Sequence, residues 1–163
     1  MERTMQTRTD SAHVGPSGAG PTPGWPTPGP DDADDTDFAD LRSAYADAGG
    51  IASGDDLARF LEQSGRGSLA GLARRIVAGE IFGIEWRKAF WIPMFQFTQE
   101  LLPKPGLKAV LAELASEYDG RRLADWFVEP NGWLEEARPI DVLDSNPTEV
   151  LQAARADRFV ATG

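Results

Sequence analysis

The side chains that most often carry chemistry are nearly missing from this sequence. Its one histidine, His13, stands in a Pro- and Gly-rich stretch, and it has no cysteine. A histidine general base, a Ser-His-Asp arrangement, a thiolate nucleophile and a His- or Cys-ligated zinc therefore have no candidate in the part that can fold. Carboxylates are plentiful: Glu80 and Glu85, the pair Glu135-Glu136, and Asp141 with Asp144. Two carboxylates can hydrolyse a glycosidic bond, but only at a set separation across a cleft, and nothing in these spacings marks one. The acidic run "DDADD" (31–35) lacks the ordered spacing of a calcium loop. A three-glycine dinucleotide fingerprint and a phosphate-cradling loop are both absent, and "SGRGS" (64–68) follows no strand, so it reads as an interhelical turn. The expectation is a protein with no catalytic residue, no cofactor and no metal.

Aromatic residues are the stronger signal. Trp86, Phe90, Trp91, Phe95, Phe97, Trp126, Phe127 and Trp133 fall within fifty residues of one another. A small domain buries most of its large apolar groups, yet exposed aromatics rimmed by charge make interface anchors. Trp133 follows a Pro-Asn-Gly turn, where core burial and an interface role are both open. Base stacking on single-stranded nucleic acid also uses aromatics, but requires a basic groove. Residues 38–163 hold nineteen acids against fourteen bases, and the paired cations Arg74-Arg75, Arg87-Lys88 and Arg121-Arg122 are spots rather than a stripe.

The elements that would position these side chains follow from pattern. Residues 1–37 contain half of the twelve prolines and few apolar groups, so they read as a disordered tail, with Trp25 as a lone aromatic. The tail has neither the apolar core of a signal peptide nor the Arg-rich face of a transit peptide, and no apolar run reaches membrane-spanning length. Residues 38–163 form one domain. Its first part, 38–78, reads as three short helices: Phe38, Leu41 and Tyr45 on one face; Ser53 capping a stripe of Leu57, Phe60 and Leu61; Ser68 capping Leu69, Leu72, Ile76 and Val77. The second part, 79–163, opens with a β-hairpin over 81–86 and 90–97, whose second arm is expected at an edge or bulged because of Pro93. Helices follow from Pro105 and Asp119, a single turn from Pro139, and a last helix with Asn146 as N-cap, Pro147 first and Glu149 as reciprocal cap. The fold class is mainly α with one β-hairpin.

The stretch "ADWFVEPNGWLEEARPIDVLDSNPTEVLQAA" resembles the toxin-binding domain of Xre/MbcA/ParS-type antitoxins. The matching positions are Trp126, Pro130, Asn131, Leu134, Pro139, Leu143 and Val150, while Glu136 stands where that family usually has glycine. Upstream, "WIPMFQF" (91–97) resembles a segment often found before the motif, and the likeness runs over residues 68–160.

That resemblance implies a protein partner, a RES-domain toxin that consumes NAD, and a C-terminal region that meets the toxin near its active site. Asn146, Arg155, Arg158 and Phe159 become interface candidates beside Trp133. Pro130 and Pro139 would set the backbone, Trp126 and Leu134 would anchor the loop, and Asn131 would bond the turn to itself. The lack of cysteine is compatible with a reducing cytoplasm, the expected location, and the resemblance implies a possible homodimer. The alternative expectation is a DNA-binding regulator using helices in 38–78, with the hairpin as a wing.

Overall fold

A computed structural model describes the backbone of residues 30–163 and the side chains of residues 33–163. His13 and Trp25 lie outside the described residues. The architecture is mostly helical, with a small antiparallel sheet at its centre. Helix α1 (Pro30–Ala44) is followed by strand β1 (Ile51–Ser53), then α2 (Gly54–Gln63) and α3 (Leu69–Val77). Strands β2 (Ile84–Trp86) and β3 (Ala89–Pro93) come next, then α4 (Leu107–Leu114), α5 (Gly120–Val128), the single turn α6 (Pro139–Val142) and α7 (Pro147–Thr162).

Two boundaries differ from expectation. The first helix begins at Pro30, inside the segment read as tail up to residue 37. Proline at a first helical position and acids in the opening turns suit the positive end of the helix dipole. Composition made the run look unfoldable, whereas its position at a helix start makes it compatible. Side-chain contacts then hold it down: Asp35 pairs with Arg87, and Phe38 stacks on Trp86 at 4.3 Å with the rings 8° from parallel.

The hairpin is shorter than 81–86 and 90–97, and its second arm is neither an edge nor bulged. Strand order is β1-β3-β2, so β3 is central, with Ile51 opposite Pro93 and Trp86 opposite Ala89. Pro93 is tolerated because the strand ends there, where a missing N–H breaks no further pairing. The third strand, only three residues long, was too short to leave a periodicity. The two-residue turn places Arg87 at φ 49° and Lys88 at φ 59°. A two-residue loop of that hand usually contains Gly, Asn or Asp. Here Arg87 offsets the backbone cost by lying over the Trp86 ring, 5.0 Å from its centroid, while it pairs with Asp35.

Because strand side chains alternate, the sheet has two covered faces. One face meets the larger core, built from Phe38, Tyr45, Phe82, Phe95, Leu107, Val110, Leu114, Phe127 and Val150, with Trp86 and Trp91 packed against it. The other face, with Ile92, meets Leu57, Leu61, Leu72 and Ile81. Each fully buried aliphatic or aromatic side chain contributes about 1.5–3 kcal/mol. Tyr45 is wholly buried and its hydroxyl donates to the Ala124 carbonyl at 2.7 Å. Burial, and to a lesser degree Asp125, pushes its phenol far above the usual range. Gln96 is buried as well; its amide accepts from the Phe82 N–H and donates to the carbonyls of Phe82 and Pro93. The glutamine of "WIPMFQF" thus ties the loop before β2 to the end of β3.

The capping residues stand where the sequence puts them. Ser53, Ser68 and Asp119 each accept from the backbone N–H three residues on, which contributes about 1 kcal/mol per cap. The stripes of α2 and α3 do not behave as expected. Leu57 and Leu61 are buried, but Phe60 is 53% exposed. On α3 only Leu72 is buried, while Leu69 and Val77 face outward and Ile76 is half-buried. An apolar cleft of about 360 Å³ runs between α3 and β3, lined by Leu69, Leu72, Ile76, Val77, Phe90 and Ile92.

Candidate functional site

The stretch from Trp126 to Leu134 closes on one residue of α7. Helix α5 starts at the Asp119 cap and buries Leu123, Trp126 and Phe127. Pro130 supplies no N–H, so the helix cannot continue past Val128, and a 3₁₀ turn follows over Gly132–Leu134. Asn131 organises that turn. Its side-chain oxygen accepts from the Trp133 N–H at 2.9 Å, and its backbone carbonyl accepts from both Leu134 and Glu136. Its own N–H donates to Ala137, which closes the loop.

Three side-chain N–H groups then converge on Asp157. The Trp126 indole donates to Oδ2 at 2.7 Å, the Asn131 amide to the same oxygen at 2.7 Å, and the Trp133 indole to Oδ1 at 2.9 Å. Hydrogen bonds to an ionised acceptor are the stronger kind, of about 1.5–3 kcal/mol each. Asp157 was absent from the candidates. Its signal was available: "AARAD" places a carboxylate at i+3 and i+4 from the buried Ala154 and Ala153, on the inward face of α7.

The turn keeps the backbone that glycine would favour even though it carries none there. Glu135 and Glu136 both adopt left-handed conformations, at φ 56° and 65°. Leu134 is buried at its centre, Pro139 is buried at the start of α6, and Pro130 is exposed. Arg138 reaches forward to Asp141 through two hydrogen bonds, 2.7 and 2.9 Å, across that single turn.

The remaining candidates divide by contact. Asn146 caps α7: its oxygen accepts from the Glu149 N–H, and its amide donates to the Glu149 carboxylate. The reciprocal bond therefore reaches the Asn146 side chain, because the Asn146 N–H already donates to Val142. Arg155 and Arg158 both pair with Glu113 on α4, at 2.9 and 2.7 Å. The Arg155 hydrogen bond, helped by the charges of Arg158 and Arg155, holds the Glu113 carboxyl below its usual range. Phe159 touches none of this; it is 77% exposed, and Val160 beside it is 69% exposed. Trp133 is 59% exposed with its ring held by Asp157.

The structure therefore brings Trp126, Asn131, Trp133 and Leu134 together around Asp157, and sets Arg155 and Arg158 on another side of the same helix. Asn146 lies three turns back. Among the described residues no cluster of three or more His, Asp or Glu side chains is placed to hold a metal, and no helix is long and apolar enough to cross a membrane. Compared with protein-family models, with curated proteins and with solved structures, the chain matches none.

Proposed function

We propose that this chain is a binding module of the antitoxin kind, which neutralises a protein toxin by presenting the end of α7 to it. The observation that carries the reading is the convergence of Trp126, Asn131 and Trp133 on Asp157. It ties the resembling motif to the helix that would carry the contact, and it leaves Phe159 and Val160 projecting from a rigidly held element. Preorganised apolar groups bind with less ordering cost than mobile ones. The resemblance supplies the kind of partner, a RES-type toxin consuming NAD in the cytoplasm; the chemistry would belong to the partner and not to this chain.

The test is to co-express the chain with each product of its neighbouring genes, and to follow cell NAD and co-purification. A neighbour that depletes NAD alone, and co-purifies inactive with this protein, supports the reading. Phe159→Ser should then weaken the complex by about tenfold or more. The unfolding midpoint of the chain alone should change little, since Phe159 is 77% exposed. If no neighbour is toxic and nothing co-purifies, the reading fails.

A second association has its own observation. The cleft between α3 and β3 is apolar with Asp55 its one charged lining residue; α2 carries Asp55, Asp56 and Glu62 against Arg59, which pairs with Asp56, and α3 carries Arg74 and Arg75. Apolar surface flanked by opposite charges on adjacent helices is self-complementary under a two-fold axis. A homodimer through this face is the form the observation favours. The DNA-binding reading has less support, since Leu69 and Val77 face outward on the helix that would have to read the groove.

A further inference from the structure

Beside the Asp157 knot lies a cleft of about 240 Å³ that the proposed contact at Phe159 does not use. Three aromatic residues, Tyr118, Trp126 and Trp133, line it beside polar surface, and Asp157, Glu129 and Arg122 are its charged members. We infer that this cleft receives an arginine side chain from a protein partner, an inference that rests on the reading of the chain as a protein-binding module.

Four features select a cation. Aromatic faces attract positive charge through their quadrupole, and three rings line one small space. An ionised carboxylate offers about four lone-pair sites, and Asp157 uses three of them on Trp126, Asn131 and Trp133, which leaves one on Oδ1. Glu129 is exposed and has no cationic partner among the described residues. Finally, α5 ends here with no basic residue in its last turn. Pro130 offers Trp126 no N–H, and the Asn131 N–H is committed to Ala137, so the negative end of the helix dipole is left for a ligand to complement.

Arginine fits better than lysine. A planar guanidinium stacks flat on an indole while its edge donates to a carboxylate, whereas an ammonium is a point charge with no plane to stack. The cleft already displays this chemistry, because the Arg122 guanidinium lies 5.4 Å from the Tyr118 ring centroid. Trp133 is fixed from two sides, by its backbone N–H on Asn131 and its indole on Asp157, so a stacking surface stands ready. Arg122 itself opposes a second cation by repulsion, and that predicts an unusual sign: removing this arginine should strengthen binding.

The experiment is a titration of the full-length chain with N-acetylarginine amide, read at the Trp133 indole N–H in two-dimensional proton–nitrogen spectra. Trp133→Phe assigns that peak. The expected result is a saturable shift, absent with N-acetylcitrulline amide, which has nearly the same shape without the charge. Glu129→Gln should weaken binding by about two- to fivefold, the range of exposed ion pairs, and Arg122→Gln should tighten it. No saturable shift, an equal response to citrulline, or weaker binding in Arg122→Gln would each overturn the inference. The titration needs no toxin. Arginine binding without any toxic neighbour would leave the cleft standing and remove the antitoxin reading. A co-purifying toxin with no response to arginine would remove only the cleft.

Discussion

At the scale of single residues, Asp157 holds the candidate site together. Replacing it with alanine strands three donors, two of them on buried residues, Trp126 and Asn131. Each unsatisfied buried donor costs about 1–3 kcal/mol, so Asp157→Ala should lower unfolding free energy by about 3 kcal/mol in a denaturant titration. Asp157→Asn should also destabilise, because its NH₂ would face an N–H donor instead of accepting from it. A change below about 1 kcal/mol in both variants would show that the knot is incidental. Glu136 has the opposite outlook. It holds a left-handed backbone at φ 65°, which costs a residue with a Cβ about 1–2 kcal/mol. Glu136→Gly removes that cost against the extra chain entropy of glycine, for an expected net gain of about 0.5–1 kcal/mol. Thermal unfolding of the two proteins at neutral pH measures it.

At the scale of elements, α7 is held by two polar attachments besides its buried Val150, Ala153 and Ala154. One is the Asp157 knot, and the other is the pairing of Arg155 and Arg158 with Glu113 on α4. The second is sensitive to acid. Because the folded-state carboxyl of Glu113 is depressed, its contribution is fully present above the unfolded carboxylate value of about 4.3. It is lost as pH falls through the lower, folded value. The melting temperature of the native chain should therefore exceed that of Glu113→Gln at pH 7, and the two should converge in strong acid. Curves that stay parallel down to that range would mean the pair contributes nothing. Close packing constrains the elements elsewhere. A Cβ on Gly120 would lie 2.0 Å from the Gly83 carbonyl, so α5 meets the backbone that leads into β2 through a glycine, while a Cβ on Gly83 would strike the Phe90 ring of β3. The helix that carries Trp126 is thereby seated directly on the sheet. That seating was not legible beforehand, because an isolated glycine in a sequence does not say which backbone it will meet.

At the scale of the whole molecule, apolar surface is distributed unevenly. The α3 face exposes Leu69 and Val77 around a cleft, whereas the face of α1 is closed by Phe38, Trp86 and Trp91. If two copies meet through the α3 cleft, Val77→Asp should yield a monomer by sedimentation, with unchanged helix content because Val77 is 89% exposed. A native chain that sediments as a monomer at every concentration would remove the dimer from consideration. The partner contact proposed at Phe159 lies on a different element, so the two associations can be tested separately.

Local chemistry was enough to determine the caps, the helical face of Phe38, Leu41 and Tyr45, and the mainly helical class with its hairpin. Those features depend on residues three or four apart or on a single turn, and the sequence states such spacings directly. Tertiary structure decided the rest. It set β3 at the centre of the sheet by adding a strand too short to have a period. It turned Phe60, Leu69 and Val77 outward, although their helical spacing was as regular as that of their buried neighbours. It also chose Asp157, 26 residues from Asn131 and 31 from Trp126, as the common acceptor of the motif. Amphipathic spacing says that a face exists, not what covers it, and a hydrogen bond across such separations depends on how helices pack. That is why the caps could be read from the sequence while Asp157, which ties α5 and its turn to α7, could not.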